Sequence, residues 1–151
     1  MKILFLHGLE STIGGSKPRH LKAAGHDVVE PNLGGVEFGE AITIAQAYVD
    51  KYKPEVIVGS SRGGALAMNI APAGARLVLV APAWNIYGPG SGIGADSTII
   101  HSEADRVIPF EDSLQLSTKH GAELVSAGSD HRMNDSNALS AILGAVERQL
   151  H

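Results

Sequence analysis

The sequence predicts an α/β protein built as a three-layer sandwich, with a doubly wound, mostly parallel sheet of about six strands and helices on both faces. Three observations carry that expectation. Short runs of Ile, Leu and Val recur along the chain, and they are continuously apolar, as strands covered on both faces are. The segments between them place apolar residues at helical spacing. Each helix-containing connection is long enough for a crossover, so parallel pairing is the expected arrangement. A chain of 151 residues is the size of one domain, 1–151, and is large enough to bury a real core.

Taken in order, residues 3–6 form the first strand and end at His7-Gly8-Leu9. A short helix is expected over 16–24, stopped by Gly25, which tolerates the left-handed conformation at a helix end. The second strand covers 28–29. Phe38, Ile42, Ala45, Val49 and Tyr52 then step by four, three, four and three, so they share one helix face. The third strand, 56–58, leads into Gly59-Ser60-Ser61-Arg62-Gly63 and an apolar stretch over 65–70. Residues 77–80 are the fourth strand, and the glycine-rich segment 88–94 reads as one mobile loop. A fifth strand at 98–100 precedes a helix over 111–120, closed by Gly121, and the last strand is 123–125. Leu139, Ile142, Leu143, Val146 and Leu150 mark a C-terminal helix.

Composition excludes several functions. Aromatics are only 5% of the chain, too few for the stacking platforms of single-strand nucleic-acid binders. The net charge of -4, with no run of Lys or Arg, leaves no footprint for nucleic acid or an anionic membrane. Cysteine is absent, which removes disulfides, thiolate metal sites and a cysteine nucleophile. The apolar run after Met1-Lys2 is shorter than a signal-peptide core, and no later run reaches the length of a membrane span. A cytoplasmic location is expected.

Gly59-Ser60-Ser61-Arg62-Gly63 matches Gly-x-Ser-x-Gly, set directly after a strand and before a helical stretch. In a chain this rich in Gly and Ser the pentapeptide arises by chance about one time in five, so its setting matters more than its letters. A sharp turn there would lift Ser61 above the sheet edge, and the flanking glycines would leave room for passing backbone. Asp105 follows the fifth strand, and His131 follows the last one. Serine, acid and histidine thus stand in that order at the ends of successive strands, the edge where open α/β sheets place their sites. In such a set the histidine takes the serine proton and the carboxylate orients the ring. Singly, a loop histidine is usually a solvated side chain and an acid before a helix is often a cap. Backbone N–H groups of Leu9 and Arg62 are the expected oxyanion donors, and Trp84 and Tyr87 are candidates to line a substrate pocket.

These residues resemble the α/β-hydrolase superfamily, in particular its small lidless bacterial esterases. The likeness runs from Lys2 to Leu150 through Leu6-His7-Gly8-Leu9, Gly59-Ser60-Ser61-Arg62-Gly63-Gly64, Asp105-Arg106-Val107-Ile108-Pro109 and Asp130-His131. The resemblance implies Ser61 as nucleophile, Asp105 as acid, His131 as base, and a minimal α/β-hydrolase fold. The connection after residue 80 leaves no room for a helical lid, so the implied substrates are short-chain or water-soluble carboxylic esters. The expected partner is that small ester, with no nucleic acid, no membrane and no cofactor, while a homodimer stays open.

The main rival is a binding or scaffold protein that keeps the hydrolase fold and turns over little, since fold does not settle function. A nucleotide-binding domain needs a phosphate loop after the first strand, and residues 8–15 lack both Gly-x-Gly-x-x-Gly and a P-loop ending. A metal hydrolase would draw on the seven histidines, but no His-x-x-x-His pair places two imidazoles on one helix face, and no metal is expected.

Overall fold

Continuous apolarity in the strands has a direct structural outcome, because alternate side chains of the same strand enter two separate cores. A computed structural model describes residues 1–9 and 11–148. In chain order its elements are β1 (Lys2–Leu6), α1 (Ser16–Ala23), β2 (Asp27–Val29), α2 (Phe38–Tyr52), β3 (Val56–Ser60), α3 (Arg62–Met68), β4 (Arg76–Val80), α4 (Trp84–Tyr87), β5 (Thr98–His101), α5 (Phe110–His120), β6 (Glu123–Ser126) and α6 (Ser136–Glu147). The strands form one sheet in the order β2-β1-β3-β4-β5-β6, and every pairing is parallel.

On one face Leu4, Leu6, Ile57, Leu77, Leu79 and Ile99 pack against α2, α3 and α5. On the other, Ile3, Phe5, Val56, Val58, Val78 and Ile100 pack against α1 and α6. The three-layer sandwich follows. The buried seam of α2 is Ala41, Ala45 and Val49, with Phe38 and Ile42 at its flank, so small residues let that helix lie close to the sheet. In α6 the buried residues are Ala138, Ile142, Ala145 and Val146, and the expected Leu150 lies outside the described residues. Gly121 closes α5 in the left-handed conformation at φ 70°.

One expectation is corrected. Segment 88–94 is not a free loop: Gly92 N–H donates to the Met68 carbonyl at 2.8 Å, Asn69 Nδ2 donates to the Gly88 carbonyl at 3.0 Å, and Ile93 is buried. A Cβ on Gly90 would overlap the Met68 carbonyl. The glycines are needed because this backbone lies directly on the end of α3, and contact rather than freedom explains them.

Strand order reverses between β1 and β3, which are neighbours in the sheet although the chain leaves β1 toward β2. The loop after β1 and the turn after β3 therefore open onto the same crevice, the usual ligand position in such sheets. No helix among the described residues is long and apolar enough to cross a membrane.

Candidate active site

At the end of β3 the backbone of Ser61 takes φ 56° and ψ -113° before α3 begins. That conformation is costly for a residue with a Cβ, and it persists because the surroundings fix it. Ser61 N–H donates to the Val80 carbonyl at 2.9 Å, and the Ser61 carbonyl accepts from Ala83 N–H at 3.0 Å. A Cβ on Gly59 would overlap the Gly63 backbone, and one on Gly63 would overlap the Leu6 carbonyl. Both glycines of the motif are thus sterically required, and the turn they permit holds the Ser61 side chain at the sheet edge.

Ser61 Oγ lies 3.0 Å from His131 Nε2, and His131 Nδ1 lies 2.7 Å from Asp105 Oδ2. An ionised carboxylate only accepts, so Nδ1 carries the hydrogen and Nε2 is left to accept the Ser61 hydroxyl. Asp105 Oδ1 accepts from Val107 N–H at 2.7 Å and Ile108 N–H at 2.9 Å, an arrangement built by the tight turn after β5. Burial opposes its charge, but the hydrogen bonds from His131, Ile108 and Val107, together with attraction to His131, outweigh that cost and hold the carboxyl below the usual range.

The histidine loop is anchored at both ends. Ser102 Oγ donates to the Gly128 carbonyl at 3.0 Å, tying the end of β5 to the loop after β6. Asp135 caps α6 by accepting from Ala138 N–H at 3.2 Å, and its other oxygen accepts from Ser129 N–H at 3.2 Å. From α1, Lys17 Nζ donates to the Arg132 carbonyl at 2.6 Å and to Asn134 Oδ1 at 3.1 Å. The loop's position is therefore fixed from three elements.

His7 serves the loop after β1. Its Nδ1 donates to the Gly8 carbonyl at 2.8 Å, and its Nε2 accepts from Leu33 N–H at 2.9 Å. The buried ring is used up in pinning Gly8 and Leu9 beside Ser61. The backbone N–H groups of Leu9 and Arg62 make no hydrogen bond among the described residues.

A cavity of about 960 Å³ opens over Ser61 and His131. Tyr87 is on its wall, with Leu9, Ile86 and Val107 exposed around it. Trp84, expected beside Tyr87, does not line the cavity. Its Nε1 donates to the Asp112 carbonyl at 3.1 Å, which turns the ring toward α5. Among the described residues no group of three or more His, Asp or Glu is placed to hold a metal ion.

The residue that sequence reasoning missed is His101, the last residue of β5 and fully buried. Its Nε2 lies 3.0 Å from Asp105 Oδ2 and 3.0 Å from the Ile108 carbonyl, while Nδ1 lies 2.6 Å from Ser113 Oγ. A carbonyl only accepts, so Nε2 carries the hydrogen and shares it between the two oxygens. Two histidines thus hold one oxygen of Asp105. Its spacing from Asp105 carries no signal by itself, because His101 closes a strand and the contact is made by the turn that follows.

The fold recurs in solved structures. A protein assigned to the alpha/beta hydrolase superfamily, from Xanthomonas campestris pv. campestris, superposes with TM-score 0.72 at 20% identity, over 95% of this chain and 94% of its own. Est1E from Butyrivibrio proteoclasticus gives 0.73 at 18% identity, over 97% of this chain and 85% of its own. The esterase domain of a Rhodothermus marinus protein gives 0.71 at 15% identity, over 96% and 84%. No family model matches the chain, and no curated protein does. At these identities the likeness establishes the fold.

Proposed function

We propose that this chain, which has the α/β-hydrolase fold, is a serine hydrolase that cleaves small or short-chain carboxylic esters through an acyl-enzyme on Ser61. The observation that carries this reading is the unbroken hydrogen-bond chain from Ser61 Oγ through His131 to Asp105. His131 Nε2 takes the hydroxyl proton as Ser61 Oγ attacks the ester carbonyl, and Asp105 stabilises the imidazolium. The Leu9 and Arg62 N–H groups receive the developing oxyanion, each donor being worth about 10²–10³ in rate. The imidazolium then protonates the leaving alcohol. Water, deprotonated by the same ring, releases the acid and restores the Ser61 hydroxyl.

Fold supports this reading only in general, because neighbours with esterase names lend a reaction class and not a substrate. The short β4–β5 connection, whose one helix is the four-residue α4, and the Tyr87 wall fit a small acyl group. The test is labelling of the purified protein with a fluorophosphonate probe, with the adduct located by mass spectrometry. An adduct on Ser61 that is lost in Ser61→Ala and in heat-denatured protein is the expected result. No adduct, or an adduct elsewhere, overturns the proposal in favour of a scaffold role.

A further inference from the structure

Each member of the hydrogen-bond chain is followed directly by an arginine: Ser61-Arg62, Asp105-Arg106 and His131-Arg132, half of the six arginines in the sequence. All three border the cavity, as does Lys17 from the first turn of α1. The chain carries 16 Asp and Glu against 12 Lys and Arg, yet among the described residues Asp130 is the one acid on that wall. An acidic protein thus gathers cations around a single cleft.

None of the four cations forms a salt bridge among the described residues. Arg62 is buried, donates to the Val36 carbonyl and stands 5.6 Å and 5.7 Å from the centroids of Phe38 and Tyr87, so its charge is fixed behind the wall. Lys17 spends two N–H groups on the Arg132 carbonyl and Asn134, leaving one of the three that an ammonium carries. Burial lowers its pKa to about 8, with Asp130 opposing that shift, so it is still mostly charged at neutral pH. Arg106 and Arg132 are exposed, on the two loops that flank Ser61.

We propose that the ester cleaved at this site carries a negatively charged group, a carboxylate or phosphate, held at the cavity by Lys17, Arg106 and Arg132. The inference rests on the serine-hydrolase reading and adds the substrate's charge to it. Guanidinium forks match such anions in geometry, and a cleft whose described cations outnumber its described acids four to one attracts an incoming anion. Four cations at one cleft of a protein with net charge -4 fit a small anion rather than a polyanion.

Two matched pairs test the charge, one on each side of the ester bond. The first is 4-acetoxy-3-nitrobenzoate against its N-methylamide, and the second is mono-4-nitrophenyl adipate against 4-nitrophenyl hexanoate, each rate divided by its hydroxide-catalysed rate. At low ionic strength at least one anion should exceed its neutral partner in kcat/KM by about tenfold or more, and salt should erode the gap. Arg106→Glu/Arg132→Glu should abolish that ratio, while Lys51→Glu/Lys119→Glu, equal in charge and remote from the cavity, should keep it. Equal or reversed preference in both pairs, or a preference that survives the first double variant, overturns the inference. Binding of phenyl phosphate, followed by NMR, decides the same point without turnover. Saturation at the cavity that is lost in Arg106→Glu/Arg132→Glu supports the inference, and no saturation in the parent protein overturns it. Fluorophosphonate labelling of Ser61, read separately, tells whether the serine-hydrolase reading itself has failed.

Discussion

Asp105 has a cavity side and a buried side, and a histidine stands on each. His131 sits on a loop, is 21% exposed, and meets Oδ2 at 2.7 Å with its second nitrogen on Ser61. His101 ends a core strand, has no exposed surface, and meets the same oxygen at 3.0 Å with its second nitrogen on Ser113. The two rings share one contact and differ in the rest of their surroundings. The cavity-side ring has an acceptor nitrogen facing the Ser61 hydroxyl at an open cavity, so it can gain a proton in the proposed reaction. The buried ring has Nε2 committed to a carbonyl and a carboxylate, which holds it in one tautomer. In the proposed reaction one histidine moves a proton, and the other is placed to keep the carboxylate still while that happens.

The largest effect expected is on the cavity side. Ser61→Ala and His131→Ala should each lower kcat/KM for 4-nitrophenyl acetate by on the order of 10⁴ or more, and the double variant should be no worse than either, because such residues act as a unit. Circular dichroism should find both folded. A double variant whose loss is the product of the single losses would mean that Ser61 and His131 work independently, and the proton-moving role of the cavity-side ring would fall.

An intermediate effect is expected on the buried side. His101→Phe keeps a ring but no N–H, leaving Oδ2 with one donor fewer and the buried Ile108 carbonyl with no side-chain donor. A slightly misplaced carboxylate should cost about tenfold to hundredfold in kcat, with KM little changed. His101→Gln puts an amide N–H back near Nε2 and should recover most of the loss. If Gln and Phe are equally slow at equal thermal stability, His101 is only core packing and positions nothing.

The two sides also differed in how far they could be read from sequence. His131 and Asp105 were legible because they follow strands in chain order, and Ser61 because Gly-x-Ser-x-Gly spells out a steric demand that Gly59 and Gly63 visibly meet. His101 was not. A histidine closing the run 98–101 reads as one more strand residue, and its contact exists only because the next turn folds Asp105 back over the strand end. Trp84 was misplaced for a related reason, since proximity in sequence to the site says nothing of where an indole N–H finds its acceptor. Segment 88–94 looked mobile because glycine content reports both freedom and close approach, and only packing against Met68 tells them apart. The alternating cores, by contrast, were written in the strands themselves.

The smallest effect expected separates the two histidines through the charge they share. Asp105 is held below its ordinary pKa by His131 and by the Ile108 and Val107 amides, against the cost of burial. Its folded pKa therefore lies below the unfolded value of 3.8, so its contribution to stability is complete above that pH and is lost as pH falls through the folded value. Removing a donor raises the folded pKa toward 3.8, so the contribution shrinks and its loss, which still begins near 3.8, is complete at a higher pH. His131→Ala deletes the 2.7 Å bond together with its attraction, whereas His101→Phe deletes a 3.0 Å bond already shared with the Ile108 carbonyl. Urea unfolding followed from about pH 5 down to about pH 2 should then show the low-pH end of that loss moving upward in both variants, and farther in His131→Ala. If His101→Phe moves it farther, the buried ring is the one that holds the charge, and the division of labour between the two sides of Asp105 is the reverse of that drawn from their surroundings.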